Sequence, residues 1–194
     1  MAGRPKIYSE EVLINKATKV FWTKGYHASS AQDLMKAMGI GQGSFYRAFP
    51  DGKKELYQKS LTLFLKNSIK NFYAGLGESE NPIDFIKTFF KSMLNRSEQQ
   101  CANGCYLGNA IVEQSNLDYE TLKHSSELLD KLKEGFEKAL ISGQKQGYLK
   151  KEQSPKLLAI HLINFWNGIN ITQRTNVSEE ELKQLIELNL KPLH

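Results

Sequence analysis

Apolar residues recur at helical spacing along most of the chain, and no segment shows the sustained alternation of a strand. In the first predicted helix, Leu13, Ala17 and Phe21 lie at four-residue intervals. Ser9 can cap the start of this helix, and Gly25 ends it. The pattern therefore predicts an all-α fold.

The next predicted helices are short and closely spaced. A capping-box-like pair, Ser30 and Asp33, precedes the amphipathic stretch AQDLMKAM, and QGSFYRAF forms the helix after it. Pro-Asp-Gly at 50–52 is a turn, and a long helix is predicted over about 53–73. GLGESENP at 75–82 is the clearest predicted linker.

Further helices are predicted in the remainder of the chain. They begin at Pro82, near 104, near 118, at Pro155 and after Ser178, and the last one ends before Pro192. We divide the chain into a three-helix head, residues 1–52, and a larger helical domain, residues 53–194.

The positive charge of the chain is concentrated in its first third. Residues 1–60 carry ten Lys and Arg against five Asp and Glu, whereas the remainder carries sixteen of each. This asymmetry favours a basic head that binds an anion, with nucleic acid as the first candidate. A merely solvated surface is the alternative.

The composition offers no metal or cofactor site. Two cysteines, Cys101 and Cys105, form no disulfide framework, and the four histidines are scattered without metal-ligand spacing. No apolar stretch reaches the length of a signal peptide or a bilayer span. We therefore expect a cytoplasmic protein with no cofactor, no metal and no membrane partner.

Three glycines in GIGQG, residues 39–43, suggest a phosphate-binding loop. A P-loop requires G-x-x-x-x-G-K-[ST], but Lys54 follows Gly52-Lys53, and Arg47 occupies the position of the first glycine. A dinucleotide-binding loop follows a strand, whereas a helical pattern precedes Gly39. Neither nucleotide-binding motif fits.

The same residues fit a helix-turn-helix, in which two helices cross within a turn of three or four residues. Gly39 supplies the positive φ that the turn needs, and Ile40 packs between the helices. The predicted small core comprises Leu34, Met38, Phe45 and Phe49. The predicted outward face of the second helix comprises Gln42, Gly43, Ser44, Tyr46 and Arg47. The N-terminal end of that helix can enter a major groove of DNA.

Each outward residue suits a contact with DNA. Arg47 can bind guanine through two hydrogen bonds, Gln42 can bind adenine, and Gly43 lets the backbone approach closely. Tyr46 suits a phosphate contact, with packing on the first helix as its alternative.

Two other regions carry candidate DNA contacts. Ser30 and Lys54 suit phosphate contacts. Arg4 and Lys6 lie in an N-terminal arm that Pro5 keeps out of a helix, and such an arm can enter a narrow A·T-rich minor groove. A charged start that touches nothing is the alternative.

The stretch KVFWTKGYHASSAQDLMKAMGIGQGSFYRAFPDGKKELY resembles the DNA-binding head of the TetR family of bacterial transcriptional regulators. The family pattern G-Y-x-x-[ST]-[ST]-x-x-D-[IL]-x-x-x-x-G-[VI]-x-x-G-[ST]-[LF]-Y-x-x-F is met at Gly25, Tyr26, Ser29, Ser30, Asp33, Leu34, Gly39, Ile40, Gly43, Ser44, Phe45, Tyr46 and Phe49. The resemblance adds Ser29 to the DNA-binding positions. It covers about the first quarter of the chain.

The chain departs from the family pattern at three places. Met35 stands where a small Ala is usual, and Gly41 replaces a common Ser that caps the recognition helix. PDGKKEL is one residue longer than the usual turn, which leaves open whether Lys53 or Lys54 contacts phosphate.

The resemblance implies a homodimer that binds a palindromic operator in double-stranded DNA. A small-molecule inducer would shift the long helix after Asp51 and so separate the two heads from their grooves. In the family, two long C-terminal helices form a four-helix dimer interface, to which we assign Leu129, Leu132, Phe136, Leu140, Leu158, Leu162, Phe165 and Ile169. A thick monomeric core is the alternative.

The candidate pocket for an apolar or aromatic inducer draws on aromatic residues and their neighbours. These are Phe64, Phe89, Phe90, Met93, Cys105, Tyr106, Asn109, Phe165 and Trp166. Aromatic residues at helical spacing also suit an ordinary core.

Other functions use other features of the chain. NGCYLGNAIVE at 103–113 resembles the G-C-L-L-x-N segment of one TetR subgroup, and Cys105 falls at a predicted helix start, which favours a thiolate. Cys105, with Cys101, is therefore a candidate sensor of electrophiles or oxidants, although a small buried apolar cysteine is the simpler interpretation. A helical enzyme lacks a recognisable catalytic set, and a DNA-packaging protein would not need the aromatic-rich larger domain.

Overall fold

The computed structural model describes residues 9–193, and these form ten α-helices with no strand. The helices are α1 Glu10–Lys24, α2 Ala31–Met38, α3 Gln42–Ala48, α4 Gly52–Glu78, α5 Pro82–Lys91, α6 Glu98–Asn103, α7 Tyr106–Gln114, α8 Tyr119–Lys145, α9 Pro155–Thr172 and α10 Glu179–Leu190. Short 3-10 helices follow α5 at Ser92–Asn95 and α10 at Lys191–Leu193. The predicted all-α fold is confirmed.

Several helices begin at the predicted caps. The Ser30 hydroxyl accepts a hydrogen bond from the Asp33 N–H at 3.0 Å, and the Asp33 carboxylate accepts one from the Ser30 N–H at 3.2 Å. The same reciprocal capping box opens α10 at Ser178 and Glu181. Because each box satisfies two N–H groups that lack partners inside the helix, the sequence specifies these helix starts locally.

The described residues pack as two compact units. Unit 1 comprises the residues up to Asn67 together with Asn109–Leu128, and unit 2 comprises Ser68–Gly108 together with the residues from Leu129 onward. The predicted division into residues 1–52 and 53–194 concerns function rather than packing, and it stays a prediction.

Unit 1 has a core of large apolar side chains from α1 to α4. The members with at most 2% exposure are Ala17, Phe21, Leu34, Met38, Phe45, Phe49, Leu56, Tyr57 and Leu61. Phe21 and Tyr57 meet edge to face with ring centroids 4.9 Å apart. Full burial of one such side chain contributes about 1.5–3 kcal/mol, so this core holds the first three helices in place.

Unit 2 has an aromatic core. Phe90 is fully buried, and its ring centroid lies 4.9 Å from that of Phe165 and 5.6 Å from that of Phe136. Phe72 meets the same Phe136 ring edge to face at 5.5 Å. Aromatic pairs of this geometry add to the stabilisation from buried area.

The predicted linker at 75–82 is mostly helical, and the predicted end of the long helix near Tyr73 is wrong. The helix α4 continues to Glu78 and leaves only 79–81 between α4 and α5. A Cβ atom at Gly75 would lie 2.8 Å from the Phe85 ring, so this glycine permits close packing inside a helix rather than breaking it.

The helix α6 is absent from the sequence-based prediction. Ser97 and Gln100 form a complete capping box at its start, and this S-x-x-Q pattern is a signal that could have found it. The helix predicted over 104–116 is the shorter α7, because Gly104, with a φ of 59°, ends α6 just before it.

Two absences hold for the part of the chain that the structure describes. None of its helices is long and apolar enough to cross a bilayer. Within residues 9–193, no group of three His, Cys, Asp or Glu side chains could hold a metal ion.

Candidate nucleic-acid interface

A three-residue turn joins α2 to α3. Gly39 ends α2 with φ 72° and ψ 34°, and its N–H donates to the Met35 carbonyl at 2.9 Å. This left-handed conformation costs a residue with a Cβ atom about 1–2 kcal/mol, so glycine suits the position. Gly41 occupies the N-cap of α3 without any side-chain hydrogen bond, as its lack of a side chain predicts.

The inner faces of α2 and α3 form the predicted small core. Leu34 and Met38 of α2 and Phe45 and Phe49 after the turn have no exposed surface. Ile40, in the turn itself, is half-buried. These contacts fix the crossing of the two helices.

The outer face of α3 is exposed along its whole length. Gln42, Gly43, Ser44 and Arg47 are all exposed, and 48% of the Tyr46 surface is accessible. All five residues that the sequence predicts to face DNA therefore lie on the surface, with Tyr46 resting edge-on against Phe45 at 5.0 Å.

The two predicted serine contacts differ in exposure. Ser29 is fully buried, and its hydroxyl donates to the Gly25 carbonyl at 2.6 Å. Ser30 is exposed at the N-terminus of α2. Only the Ser30 hydroxyl lies on the surface.

An ion pair supports the start of α2. The Lys24 ammonium lies 3.0 Å from the Asp33 carboxylate. This contact and the hydrogen bonds from Ser30 lower the pKa of Asp33 to about 2. A carboxyl whose folded pKa is depressed stabilises the fold above its ordinary pKa and loses that effect as the pH falls, so the cap stays ionised down to strongly acidic pH.

The predicted phosphate-binding lysines make contacts within the protein. The Lys53 ammonium donates to the Tyr26 carbonyl at 3.0 Å and the Ser29 carbonyl at 3.1 Å. Lys54 pairs with Glu120 at 2.8 Å and Asp118 at 3.0 Å, and these contacts raise its pKa. Their binding to phosphate stays a prediction.

Glu113 contacts the turn between α1 and α2, and the sequence-based prediction missed it as a functional residue. Its carboxylate accepts hydrogen bonds from the Tyr26 N–H at 2.9 Å and the His27 N–H at 2.8 Å. The partners are backbone groups more than 80 positions away, so no sequence pattern indicates the contact.

Part of the candidate inducer site comes together in unit 2. Phe89 lies 5.3 Å from Trp166 between ring centroids, and Phe90 lies 6.4 Å from the same ring. The remaining members in this unit are buried, namely Met93, Cys105, Tyr106 and Phe165.

Two members of the predicted pocket belong to unit 1. Phe64 packs edge to face on Trp22 with a centroid distance of 4.9 Å. Asn109 is half-buried in α7. The predicted set therefore divides between the two units.

Cys105 is the N-cap of α7. Its Sγ accepts hydrogen bonds from the Gly108 N–H at 3.3 Å and from the Trp166 indole N–H at 3.4 Å. The Arg96 guanidinium stacks on Trp166 at 5.2 Å and donates to the Asn170 side chain at 2.9 Å. Burial lowers the pKa of Arg96.

The residues that we assign to a dimer contact lie in the interior of the chain. Leu132 is half-buried, and the others are buried, namely Leu129, Phe136, Leu140, Leu158, Leu162, Phe165 and Ile169. The face of α9 that is exposed is a different one.

The predicted minor-groove contacts, Arg4 and Lys6, lie outside the described residues.

Two family models match the chain. The model described as "Bacterial regulatory proteins, tetR family" matches residues 13–59. The model described as "Tetracyclin repressor-like, C-terminal domain" matches residues 82–188, which is more than half of the chain.

Curated relatives match over nearly the full length. The chain is 28% identical over 182 residues to the HTH-type transcriptional repressor DhaR of Mycobacterium sp. (strain GP1), covering 93% of this chain and 90% of DhaR. It is 26% identical over 198 residues to the HTH-type transcriptional repressor ComR of Escherichia coli (strain K12), covering 97% and 90%.

Solved structures share the fold. A cysteine variant of the TetR family regulator CifR, complexed with 26-bp operator DNA, matches with a TM-score of 0.84 at 21% identity, covering 97% of this chain and 98% of that one. The reduced form of E. coli NemR matches with a TM-score of 0.83 at 21% identity, covering 93% and 94%. The family is one of regulators rather than enzymes, which removes the helical-enzyme alternative. The chain belongs to the TetR family of bacterial transcriptional regulators.

Proposed function

We propose that this regulator is a repressor that binds a palindromic operator as a homodimer and leaves it when a small apolar or aromatic inducer binds. The observation that carries the proposal is the exposed polar face of α3, held on a fully buried core. The full-length relatives DhaR and ComR, both named repressors, support the sign of regulation.

The residues of α3 divide between sequence recognition and positioning. Arg47 reads guanine and Gln42 reads adenine, each through a pair of hydrogen bonds. Ser44, Tyr46 and Ser30 bind phosphates and fix the register of the helix in the groove. Arg4 and Lys6 supply a minor-groove contact from the N-terminal arm.

We expect a Gly43→Ala substitution to stabilise the fold and at the same time to weaken DNA binding. A Cβ atom added at this position would meet no neighbouring atom within 4 Å, so alanine raises the free energy of unfolding by up to about 1 kcal/mol. The added methyl group faces the DNA and weakens operator binding about tenfold, at the lower end of overpacking costs. Thermal unfolding and fluorescence anisotropy measure the two effects.

Gly77→Ala is the matched control for this substitution. Gly77 also lies in a helix, and a Cβ atom added there would likewise meet no neighbouring atom within 4 Å. It should gain stability without any change in DNA affinity. Unchanged operator binding by Gly43→Ala would remove α3 from the interface.

The proposed dimer contact uses the exposed apolar strip of α9. Leu157, Ile160 and Ile171 are 66%, 46% and 61% exposed, and Asn164 and Gly168 lie between them. The successive spacings are three, four, four and three residues, which keeps all five on one helix face. Two copies of this strip would bury one another about a two-fold axis.

Selection of binding sites from a random DNA pool tests the proposal. A dimeric helix-turn-helix protein should enrich a palindrome whose half-sites lie about 34–36 Å apart, or a multiple of that distance. Recovery of sequences without any shared motif would contradict the proposal.

A second candidate function is thiol-based sensing. The favouring observation is that the Cys105 sulfur accepts two N–H hydrogen bonds at the start of α7, one of them from Trp166, whose ring also contacts the Arg96 guanidinium. In this alternative, reaction of Cys105, with or without Cys101, releases the operator.

If thiol sensing is correct, quinone or hypochlorite should release the wild-type protein from DNA. The same reagents should not release a Cys101→Ser, Cys105→Ser double variant. The reason is that the reactive sulfur atoms are gone while both side chains keep nearly the same volume. Electrophoretic mobility shifts measure the release, with Cys101→Ser alone as the control. A retained response in the double variant would exclude thiol sensing.

A further inference from the structure

The Glu113 carboxylate binds the turn that precedes α2 with both of its oxygen atoms. One oxygen accepts from the Tyr26 N–H and the other from the His27 N–H, at 2.9 and 2.8 Å. Hydrogen bonds from neutral donors to a carboxylate are roughly twice as strong as those between neutral groups. The turn is therefore held by a side chain of α7.

Gly25 makes this contact possible. Its φ is 82°, and a Cβ atom there would lie 3.2 Å from each Glu113 oxygen. Both the conformation and the space favour a residue without a side chain. The carboxylate can thus reach the backbone directly.

Lys53 holds the opposite side of the same turn. Its ammonium donates to the carbonyls of Tyr26 and Ser29 and lies 4.3 Å from the centre of the Tyr26 ring. Tyr26 is therefore bonded through its N–H to an anion and through its carbonyl to a cation. Since Ser30 caps α2 immediately afterwards, this turn sets where α2 begins.

The helix α7 is continuous from Tyr106 to Gln114. Cys105 caps its start, and Glu113 lies in its last turn, about 12 Å further along the axis at 1.5 Å per residue. Because α7 is short and unbroken, we expect a shift at its start to displace the Glu113 carboxylate as well.

We propose that Glu113 is the coupling residue through which the state of α7 reaches the DNA-binding helices. The inference rests on the proposed function. The two carboxylate hydrogen bonds set the position of the turn before α2 while α7 is in place. A shift of α7 that breaks these bonds releases the turn and so changes the presentation of α2 and α3 to DNA.

Reciprocal linkage provides the test. If α7 and the DNA-binding helices are coupled, DNA must alter the environment at the start of α7. The probe is the rate of Cys105 alkylation by iodoacetamide in a Cys101→Ser background, with and without a DNA duplex selected by the wild-type protein. We expect DNA to change this rate about fivefold or more, the usual lower range of coupling between sites.

The Glu113→Gln substitution should abolish this effect of DNA. Glutamine keeps the shape of the side chain, but its NH₂ group cannot accept a backbone N–H. Val112→Ala, on the outward side of the same helix, and Glu187→Gln, with the same change in charge, are the controls that should keep the effect.

The outcomes are distinguishable. Failure of the Cys101→Ser protein to bind any selected DNA would contradict the proposed function itself. DNA binding without any change in the Cys105 rate, or an unchanged effect in Glu113→Gln, would overturn the coupling role alone.

A measurement without substitution of Glu113 covers the case of a variant that does not fold. Hydrogen exchange of the Tyr26 and His27 amides should accelerate at least fivefold after Cys105 is alkylated, because the carboxylate no longer protects them. Unchanged exchange would also overturn the inference.

Discussion

Arg47→Ala should lose most of the preference for the operator over random DNA. A bidentate contact to guanine contributes about 1–3 kcal/mol of discrimination, and a palindrome presents two such contacts to a dimer. We therefore expect discrimination to fall by about 2–6 kcal/mol, while binding to random DNA falls much less. Competition binding at fixed salt concentration measures both quantities.

Arg47→Lys is the informative control for this prediction. Lysine keeps the positive charge near the phosphates but lacks the planar fork that binds guanine. It should retain most of the binding to random DNA and lose the discrimination. Equal operator preference in wild type and Arg47→Ala would show that α3 does not read sequence through this residue.

Ile160→Asp should convert the dimer into a monomer and weaken operator binding about a hundredfold or more. The substitution places two carboxylates in a symmetric apolar contact, where neither can be hydrated or paired. A monomer also loses the gain from binding two linked half-sites at once. Light scattering gives the mass, and anisotropy gives the affinity.

Leu188→Asp on α10 is the matched control for the dimer prediction. Leu188 is 57% exposed, so this substitution also replaces an exposed apolar residue with a charge. It should leave the mass unchanged. A dimeric Ile160→Asp protein would show that the α9 strip is not the contact.

Local signals predicted much of the fold. The reciprocal pairs Ser30 with Asp33 and Ser178 with Glu181 place helix starts through contacts within four residues, which a sequence displays directly. The exposed and buried faces of α3 were also predictable, because the apolar residues Phe45 and Phe49 lie one helical turn apart.

Contacts between distant segments were not predictable. Gly75 looked like a helix breaker, yet its missing side chain accommodates the Phe85 ring. The bonds of Glu113 and Lys53 end on backbone groups, which every residue carries, so the sequence has no pattern that marks their partners. These contacts emerge only from the packed chain.

The exposed face of α9 illustrates the same limit. This helix is apolar on several sides. From the sequence, the face with Leu158 and Leu162 and the face with Leu157 and Ile160 were therefore equally plausible dimer contacts. Hydropathy alone cannot say which side the rest of the chain covers. The structure places the first pair inside and the second pair on the surface.

The ratio of affinities for the selected palindrome and for random DNA, measured at physiological salt, tests the central claim most directly. A sequence-specific regulator should bind the palindrome at least about a thousandfold more tightly. A ratio near one for the wild-type protein would contradict the account, because the exposed face of α3 would then bind DNA without reading it.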